Sequence, residues 1–222
     1  MTRSFRRPAV HLFKLGSAIL IVIGTLATTA CQPLPASTSP ASGTSSSSQG
    51  STVITSEYSS LDASGVEKIK SDQQARLDMS NGTLLKAAVR VSDDSYGPEI
   101  NNQGSGKIAL TIVGPAGDIT AQTDRIRFKT TDARPDFTEI TYFLTAESAE
   151  DFYALIRDGV EKYGIDKGDA ERWITSTTQD PASKSDYSLT SGASIGLDVN
   201  YDLRFDGAKD TQVIIVHVSP VG

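Results

Sequence analysis

A segment close to the C-terminus carries the pattern of a serine nucleophile. Gly192, Ser194 and Gly196 fit G-x-S-x-G, the sharp turn that exposes the catalytic serine of α/β-hydrolases, and His217 follows them. That turn must join a strand to a helix, whereas this one follows a polar loop and opens an alternating strand. A triad would also have to fit into about 25 residues of one hairpin, although such folds draw acid and histidine from distant strand ends. Flexible glycines at the entrance of a strand explain the pattern better.

A second glycine-rich segment, residues 104–107, suggests a phosphate-binding loop. The pattern G-x-x-x-x-G-K-[ST] also requires an earlier glycine and a following Ser or Thr, so that backbone N–H groups and a hydroxyl surround the phosphate. Asn101 and Ile108 occupy those two positions, and no helical pattern follows. We therefore interpret the segment as a turn.

Metal-binding side chains are scarce. Zinc and copper sites are built mainly from Cys and His, and His217 is the only histidine beyond residue 31. Asp198, Asp202 and Asp206 could offer oxygen ligands to calcium, but a spacing of four residues along a strand separates neighbours by about 13 Å. We expect no metal and no cofactor, and we place these carboxylates on a solvated face.

His217 itself lies in an apolar strand pattern and could act as a general base. The sequence places neither an acid nor a nucleophile beside it, so a core or sheet-face histidine with a satisfied hydrogen bond is favoured. We predict no catalytic residue in this chain and a protein that is not an enzyme.

Three cations, Arg125, Arg127 and Lys129, lie on one side of a predicted strand. In an otherwise acidic protein they are a candidate binding stripe for an anionic partner, either a cell-wall polymer or an acidic envelope protein. The alternative is an exposed or edge strand whose charges protect it from aggregation.

The chain begins with the three-part pattern of an export signal. A cationic start, MTRSFRRPAVHLFK, precedes the apolar run LGSAILIVIGTLATTA, which ends in small residues. The run has about 16 residues, fewer than the roughly 20 that a membrane-spanning helix needs. Residues 1–30 are therefore predicted to be a signal peptide.

The run ends in TLATTAC, which resembles the lipobox of bacterial lipoproteins, with Ala30 before Cys31 and Thr28 where the family usually has leucine. The resemblance implies that Cys31 carries a diacylglycerol and becomes the mature N-terminus. Two acyl chains hold a protein stably on a membrane. The expected location is the extracytoplasmic face of the cell membrane, and the only cysteine of the chain is then the anchor.

Residues 31–56 hold this cysteine and a stretch rich in Ser, Thr and Pro that has no charged side chain. Such a composition buries too little apolar area to order itself, which predicts a disordered tether. The chain has 21 Lys and Arg and 27 Asp and Glu, and four of the cations precede residue 31. The remainder therefore carries 17 against 27, a net charge of −10, which disfavours nucleic acid as a partner.

Residues 57–222 are predicted to be one globular domain with two or three helices. Residues 64–79 combine helix-forming residues with a loose apolar period. Residues 168–179 indicate a shorter helix that begins at Asp169. The strongest helical pattern lies between them, in SAEDFYALIRDGVEKYG.

That helix has a choice of N-terminal caps, Thr145 or Ser148, because either hydroxyl can accept a hydrogen bond from the first turn. Gly164 stands where a left-handed C-cap is expected. The segment therefore has a start signal, a period and a stop signal.

The strands alternate apolar and polar residues, and turn-forming residues separate them. The final strand is apolar at nearly every position, which predicts a central strand covered on both faces. Residues 92–106 and 180–192 have loop composition. The predicted strands are residues 107–113, the run that ends at Lys129, residues 136–145, residues 194–205 and residues 213–218.

Short connections favour antiparallel pairing, so we predict an α+β fold: a single antiparallel sheet of about five strands with two or three helices packed on one face. The first functional hypothesis is a lipid-anchored cell-envelope protein with a non-catalytic binding or scaffolding domain. A second is a carrier whose curved sheet encloses an apolar or lipid ligand beside an aromatic row. An envelope hydrolase ranks last. The aromatic row consists of Phe128, Tyr142, Tyr201 and Phe205.

Overall fold

The computed structural model describes residues 57–222, so Cys31, the predicted signal peptide and the predicted tether lie outside the described residues. The described helices are α1 (Ala63–Asp72), α2 (Ala149–Tyr163) and α3 (Lys167–Gln179), with one 3₁₀ turn at Ala87–Val89. None of these helices combines the length and the apolar character needed to cross a membrane. The strands are β1 (Gln74–Asp78), β2 (Leu84–Leu85), β3 (Glu99–Asn101), β4 (Ile108–Val113), β5 (Asp118–Thr123), β6 (Arg125–Lys129), β7 (Asp136–Phe137), β8 (Glu139–Ala146), β9 (Lys184–Ser188), β10 (Leu197–Asp206) and β11 (Gln212–Pro220).

These strands form three sheets. The largest has six strands in the order β3-β6-β8-β11-β10-β9, and every neighbouring pair in it is antiparallel. A three-stranded sheet has the order β1-β4-β5, in which β1 and β4 are parallel, and β2 pairs with β7. The predicted α+β fold with a single five-stranded antiparallel sheet is therefore wrong. The described chain is mostly β, with 11 strands and three α-helices.

Two of the missed strands have mostly polar sequences. β3 and β9 lie in the two segments predicted to be loops, and β9 reads Lys-Ser-Asp-Tyr-Ser, which has no apolar period. β3 forms ladder hydrogen bonds with β6, and β9 forms them with β10. These bonds to neighbouring strands of the sheet order the backbones of β3 and β9. Tertiary pairing overrides intrinsic strand propensity in such segments.

Two predicted elements are divided in the structure. The helix predicted for residues 64–79 ends at Asp72, where Gln73 adopts a left-handed conformation (φ 53°) and β1 begins. The run that ends at Lys129 forms two strands in different sheets. At their junction the buried Thr123 hydroxyl accepts from the N–H groups of Arg125 and Phe143, both at 3.2 Å, and so fixes the passage from β5 to β6.

Helix α2 confirms its local signals. Ser148, one of the two predicted caps, accepts a hydrogen bond from the N–H of Asp151 at 3.0 Å, and Gly164 ends the helix with φ 76°. The start predicted for the next helix is wrong. α3 begins at Lys167 behind the cap Asp166, whose carboxylate accepts from the N–H of Asp169 at 2.6 Å.

The six-stranded sheet has an inner face that packs against α2 and α3. Every second residue of β10, from Leu197 to Phe205, is buried there, as the alternation predicts. β11 lies between β8 and β10, which confirms its central position. Its coverage on both faces is not confirmed, because Ile215 and His217 are only half-buried on the opposite side.

Candidate functional site

The outer face of the six-stranded sheet carries the polar half of the alternating strands. The register places Arg127 of β6 beside Thr141 of β8, Thr141 beside His217 of β11, and His217 beside Asn200 of β10. Two residues further along both strands, and on the same face, Asp202 of β10 lies opposite Ile215 of β11. Four strands that are distant in sequence therefore bring polar groups into one patch.

His217 lies between two carboxylates at the centre of this patch. Its Nδ1 is 2.9 Å from Oε1 of Glu139, which also accepts from the Thr141 hydroxyl at 2.9 Å. Its Nε2 is 3.5 Å from Oδ2 of Asp202, within ion-pair range but without hydrogen-bond geometry, and that nitrogen is buried. The imidazole thus joins β8 to β10 across β11.

This geometry shifts both titrations. The hydrogen bond to Glu139, together with the charges of Glu139 and Asp202, raises the pKa of His217 against the opposing effect of partial burial. The same hydrogen bond lowers the pKa of Glu139 to about 2, with help from the Thr141 hydroxyl. An opposite charge within hydrogen-bond range favours the charged form of each partner. His217 is therefore predominantly an imidazolium over a wider pH range than an isolated histidine.

An open cavity of about 480 Å³ surrounds His217, and we call it the histidine trough. Its floor is partly apolar and its rim carries the long cationic side chains. The residues that line the histidine trough are Arg127, Phe128, Lys129, Glu139, Thr141, Asp202, Arg204, Ile215 and His217.

The candidate stripe Arg125, Arg127 and Lys129 lies along one side of this patch, and each cation has a carboxylate partner. Glu99 of β3 accepts from Arg125 at 2.6 Å and lies 3.3 Å from Arg127. Lys129 is 3.8 Å from Glu139. β6 pairs with β3 on one side and β8 on the other, so it is not an edge strand, but Arg127 and Lys129 are exposed, as the alternative of an exposed strand predicts.

The stripe is also ordered by an aromatic ring. The guanidinium groups of Arg125 and Arg127 lie 5.3 and 5.4 Å from the ring centroid of Phe143. Contacts of this kind attract a cation to the ring face. The two arginines are therefore held in defined positions on the sheet surface.

The G-x-S-x-G segment has a structural role. Ser194 donates to the backbone oxygen of Lys162 at 2.9 Å, next to the C-terminus of α2, and Gly192 forms a bridge with Val199 of β10. Ser194 and His217 thus have different partners, and Gly196 (φ 76°) leads into a strand rather than a helix.

The other sequence candidates are also accounted for. Lys107 donates to the Thr145 hydroxyl at 2.7 Å and precedes β4, so the glycines before it form a turn. Asp198 accepts from Ser191, whereas Asp202 faces His217. Within residues 57–222, no group of His, Cys, Asp and Glu side chains has the arrangement of a metal site.

The aromatic row proposed for a carrier lies in the core. Phe128 packs against Phe137 with ring centroids 5.5 Å apart, and Phe205 packs against Trp173 at 5.8 Å. Tyr142 and Tyr201 are at most 2% exposed. These rings contact other core side chains and α-helices.

A second open cavity, of about 910 Å³, lies beside α1 and β1. Arg76 lines it, with its guanidinium 5.4 Å from the ring centroid of Tyr58. Lys68 and Asp72 on its rim pair with each other at 2.5 Å. Lys68 and Asp72 thus satisfy each other, whereas the Nε of Arg76 is buried without a hydrogen-bond partner among residues 57–222.

The sequence missed Glu139 and Arg204 as site residues, and it considered Asp202 only as an oxygen ligand for calcium. Each is an outward-facing residue of an alternating strand, and this was the only available signal. Their convergence on His217 requires the register between three strands, β8, β11 and β10, which the sequence pattern does not contain.

The surroundings of His217 oppose one catalytic role, that of a general base. A general base must be neutral and have a free nitrogen near the proton that it takes. The pKa of His217 is raised, which favours its charged form, and both of its nitrogens face carboxylates. Among known proteins, no family model, no curated protein and no solved structure matches this chain.

Proposed function

We propose that this chain is a lipid-anchored cell-envelope protein whose residues 57–222 form a non-catalytic binding or scaffolding domain. The anchor is Cys31, in the lipobox-like segment, and the location is the extracytoplasmic face of the cell membrane. The partner is an envelope component, either a cell-wall polymer or a protein.

The observation that carries the binding role is the outer face of the six-stranded sheet. Helices α2 and α3 pack on the inner face, and the outer face presents ordered charges on four adjacent strands, exposed on β6 and β10 and half-buried on β8 and β11. Exposed polar groups held in fixed positions by a rigid scaffold are typical of binding sites. The raised pKa of His217, which favours the imidazolium, supports a binding site over a catalytic one.

The anchor is tested with Cys31→Ala in the native host. We expect the wild-type chain in the membrane fraction with the added mass of a diacylglycerol, and the variant at full precursor length without that mass. Cys31→Ser is the matched control for side-chain size, since its hydroxyl does not replace the thiol as acceptor. A variant that keeps the lipid mass would refute the anchor.

The binding role is tested by co-sedimentation of the full chain with isolated cell envelopes. We expect the triple charge reversal Arg125→Glu, Arg127→Glu, Lys129→Glu to lower the bound fraction. Arg157→Glu combined with Lys162→Glu on α2 is a control on a different surface, where both cations form exposed ion pairs. Protease treatment of the envelopes separates a polymer partner from a protein. Equal binding by the wild type and the triple variant would refute a role for this face.

A further inference from the structure

We infer that the histidine trough binds an extended polyanion, a polymer with regularly repeated phosphate or carboxylate groups, and that protonation of His217 controls its affinity. This inference rests on the proposed binding function and specifies its ligand. Three properties of the trough support a polyanionic ligand: its cations are more exposed than its carboxylates, its width fits one extended chain, and the surface around it has few exposed apolar residues.

The charges of the trough are sorted by exposure. The cations stand at the rim, where the side chains of Lys129, Arg127 and Arg204 are 71%, 45% and 42% exposed. The carboxylates lie deeper, with Glu139 at 22% and Asp202 at 25% exposure. A ligand that enters from solvent therefore meets positive charge first.

The dimensions fit a single extended chain. Arg127 and Lys129 are alternate residues of β6, which places them about 6.6 Å apart along the strand. Arg204 lies across three strand spacings, about 14 Å from β6. Thr141 and Ile215 form the floor between them. A chain lying between these walls can present successive anions to both, and guanidinium groups bind phosphate or carboxylate in a bidentate manner.

The surface around the trough argues for a polymer over an acidic protein. Stable protein interfaces are centred on exposed aromatic or aliphatic side chains. In the described chain, the exposed large apolar residues lie away from the outward positions of β6, β8, β10 and β11. They are Tyr58, Leu85, Tyr96, Tyr187 and Val221.

The negative net charge of the domain restricts where a polyanion can bind. Residues 57–222 carry a net charge of −10, so the domain as a whole repels polyanions. The ion pairs at the rim are exposed, and exposed pairs contribute little free energy, so an incoming anion can replace the carboxylate partner. Binding of a polyanion to this protein therefore requires a local basic site.

His217 sets the charge of the floor. The charged groups that face it are Glu139 of β8 and Asp202 of β10, with Arg127 and Lys129 of β6 and Arg204 of β10 further out at the rim. Thr141 of β8 and Asn200 of β10 are its neutral neighbours in the register. With the imidazolium, His217, Glu139 and Asp202 together carry a net charge of −1. When the imidazolium loses its proton, this charge becomes −2, which repels an anion more strongly.

The first experiment measures binding of two probes, linear polyphosphate and polygalacturonate, to the full chain by calorimetry at low salt and about pH 6. We expect Arg127→Glu combined with Arg204→Glu to weaken binding by about tenfold or more, because two anion contacts are replaced by repulsion. Arg157→Glu with Lys162→Glu, which changes the net charge equally, serves as the control. The two probes distinguish phosphate from carboxylate ligands. Equal loss in both double variants, or no binding of either probe, would overturn the inference.

The second experiment uses His217→Gln, which keeps a polar side chain and removes the titration. Wild-type affinity should fall between about pH 6 and about pH 9, whereas the variant should bind weakly at both values. A thermal melt of the variant establishes that it is folded. The same pH dependence in wild type and variant would overturn the control by His217. If the triple charge reversal lowers co-sedimentation with cell envelopes but the full chain binds neither probe, the proposed function stands and the polyanion inference fails.

Discussion

The two faces of the six-stranded sheet are built from the same strands but do different work. On the inner face Phe205 of β10 packs against Phe152 and Trp173, with ring centroids 6.0 and 5.8 Å away. On the outer face His217 of β11 lies between Glu139 and Asp202. The first set is removed from water, whereas the second is half-exposed.

The difference in energy between the faces explains the difference in role. Burial of a large aromatic or aliphatic side chain contributes about 1.5–3 kcal/mol, and an exposed ion pair contributes about 0–1 kcal/mol. The inner face therefore stabilises the fold, and the outer face can exchange its partners for a ligand without unfolding the domain.

The largest expected effect is on the inner face. Phe205→Ala removes a ring that is 2% exposed and contacts Phe152 and Tyr153 of α2 and Trp173 of α3. We expect the free energy of unfolding to fall by about 3–5 kcal/mol, from lost transfer energy and the cavity left behind. Urea denaturation measures it. Arg204→Ala, the preceding residue on the outer face, is the matched control, and an equal loss there would contradict the comparison.

A buried carboxylate on the inner side should come next. Asp169 of α3 accepts from the Tyr187 hydroxyl at 2.6 Å and from the N–H of Thr190 at 2.9 Å. Asp169→Asn keeps the shape and removes one acceptor, so one of the groups that donate to this buried side chain loses its partner, at a cost of about 1–3 kcal/mol. The free energy of unfolding in urea measures it, with Tyr187→Phe as the control that removes the donor instead. A change below the error of the fit would show that the carboxylate is not needed there.

A pH-dependent effect is expected on the outer face. Because the folded pKa of His217 is raised, its contribution to stability is complete below the unfolded value near 6.5 and is lost as the pH rises through the folded value. Because the pKa of Glu139 is lowered to about 2, its contribution is present above the unfolded value near 4.5 and is lost as the pH falls towards 2.

The difference in the free energy of unfolding between the wild type and His217→Gln should therefore be largest between about pH 4.5 and pH 6.5. Chemical denaturation of both proteins from about pH 4 to about pH 9 measures this difference. A difference that grows above pH 8 would show that the neutral imidazole is the stabilising form.

The smallest effect is expected at the rim of the trough. Arg127→Ala removes an ion pair 3.3 Å long to Glu99, in which both side chains are more than two-fifths exposed. The free energy of unfolding should change by less than about 1 kcal/mol, because solvent screens such pairs. A thermal melt and a urea titration measure it. A loss comparable to that of Phe205→Ala would mean that the outer face also holds the fold together.

Part of the fold could be predicted because its signals are local. The alternation of β10 and the cap of α2 at Ser148 require only neighbouring residues. β3 and β9 could not be predicted in this way, because their polar residues become strands only through pairing with β6 and β10. The parallel pair of β1 and β4 also depends on residues more than 30 positions apart.

The candidate site shows the same division. The sequence placed Arg125, Arg127 and Lys129 on one side of a strand and left His217 without a partner. Glu139 is 78 positions from His217 in the chain, and their hydrogen bond exists only because β8 and β11 pair in one register. A shift of one residue would turn these side chains to the opposite face.

The sequence by itself thus determined which residues of each long strand face the core, the limits of α2 and the acidic character of residues 57–222. These properties depend on periodicity, on capping side chains and on composition, which act over a few residues or none. Only the tertiary structure decided that the domain is mostly β and that Glu139, His217 and Asp202 meet. Both depend on strand pairing, in which hydrogen bonds join residues that the chain holds far apart.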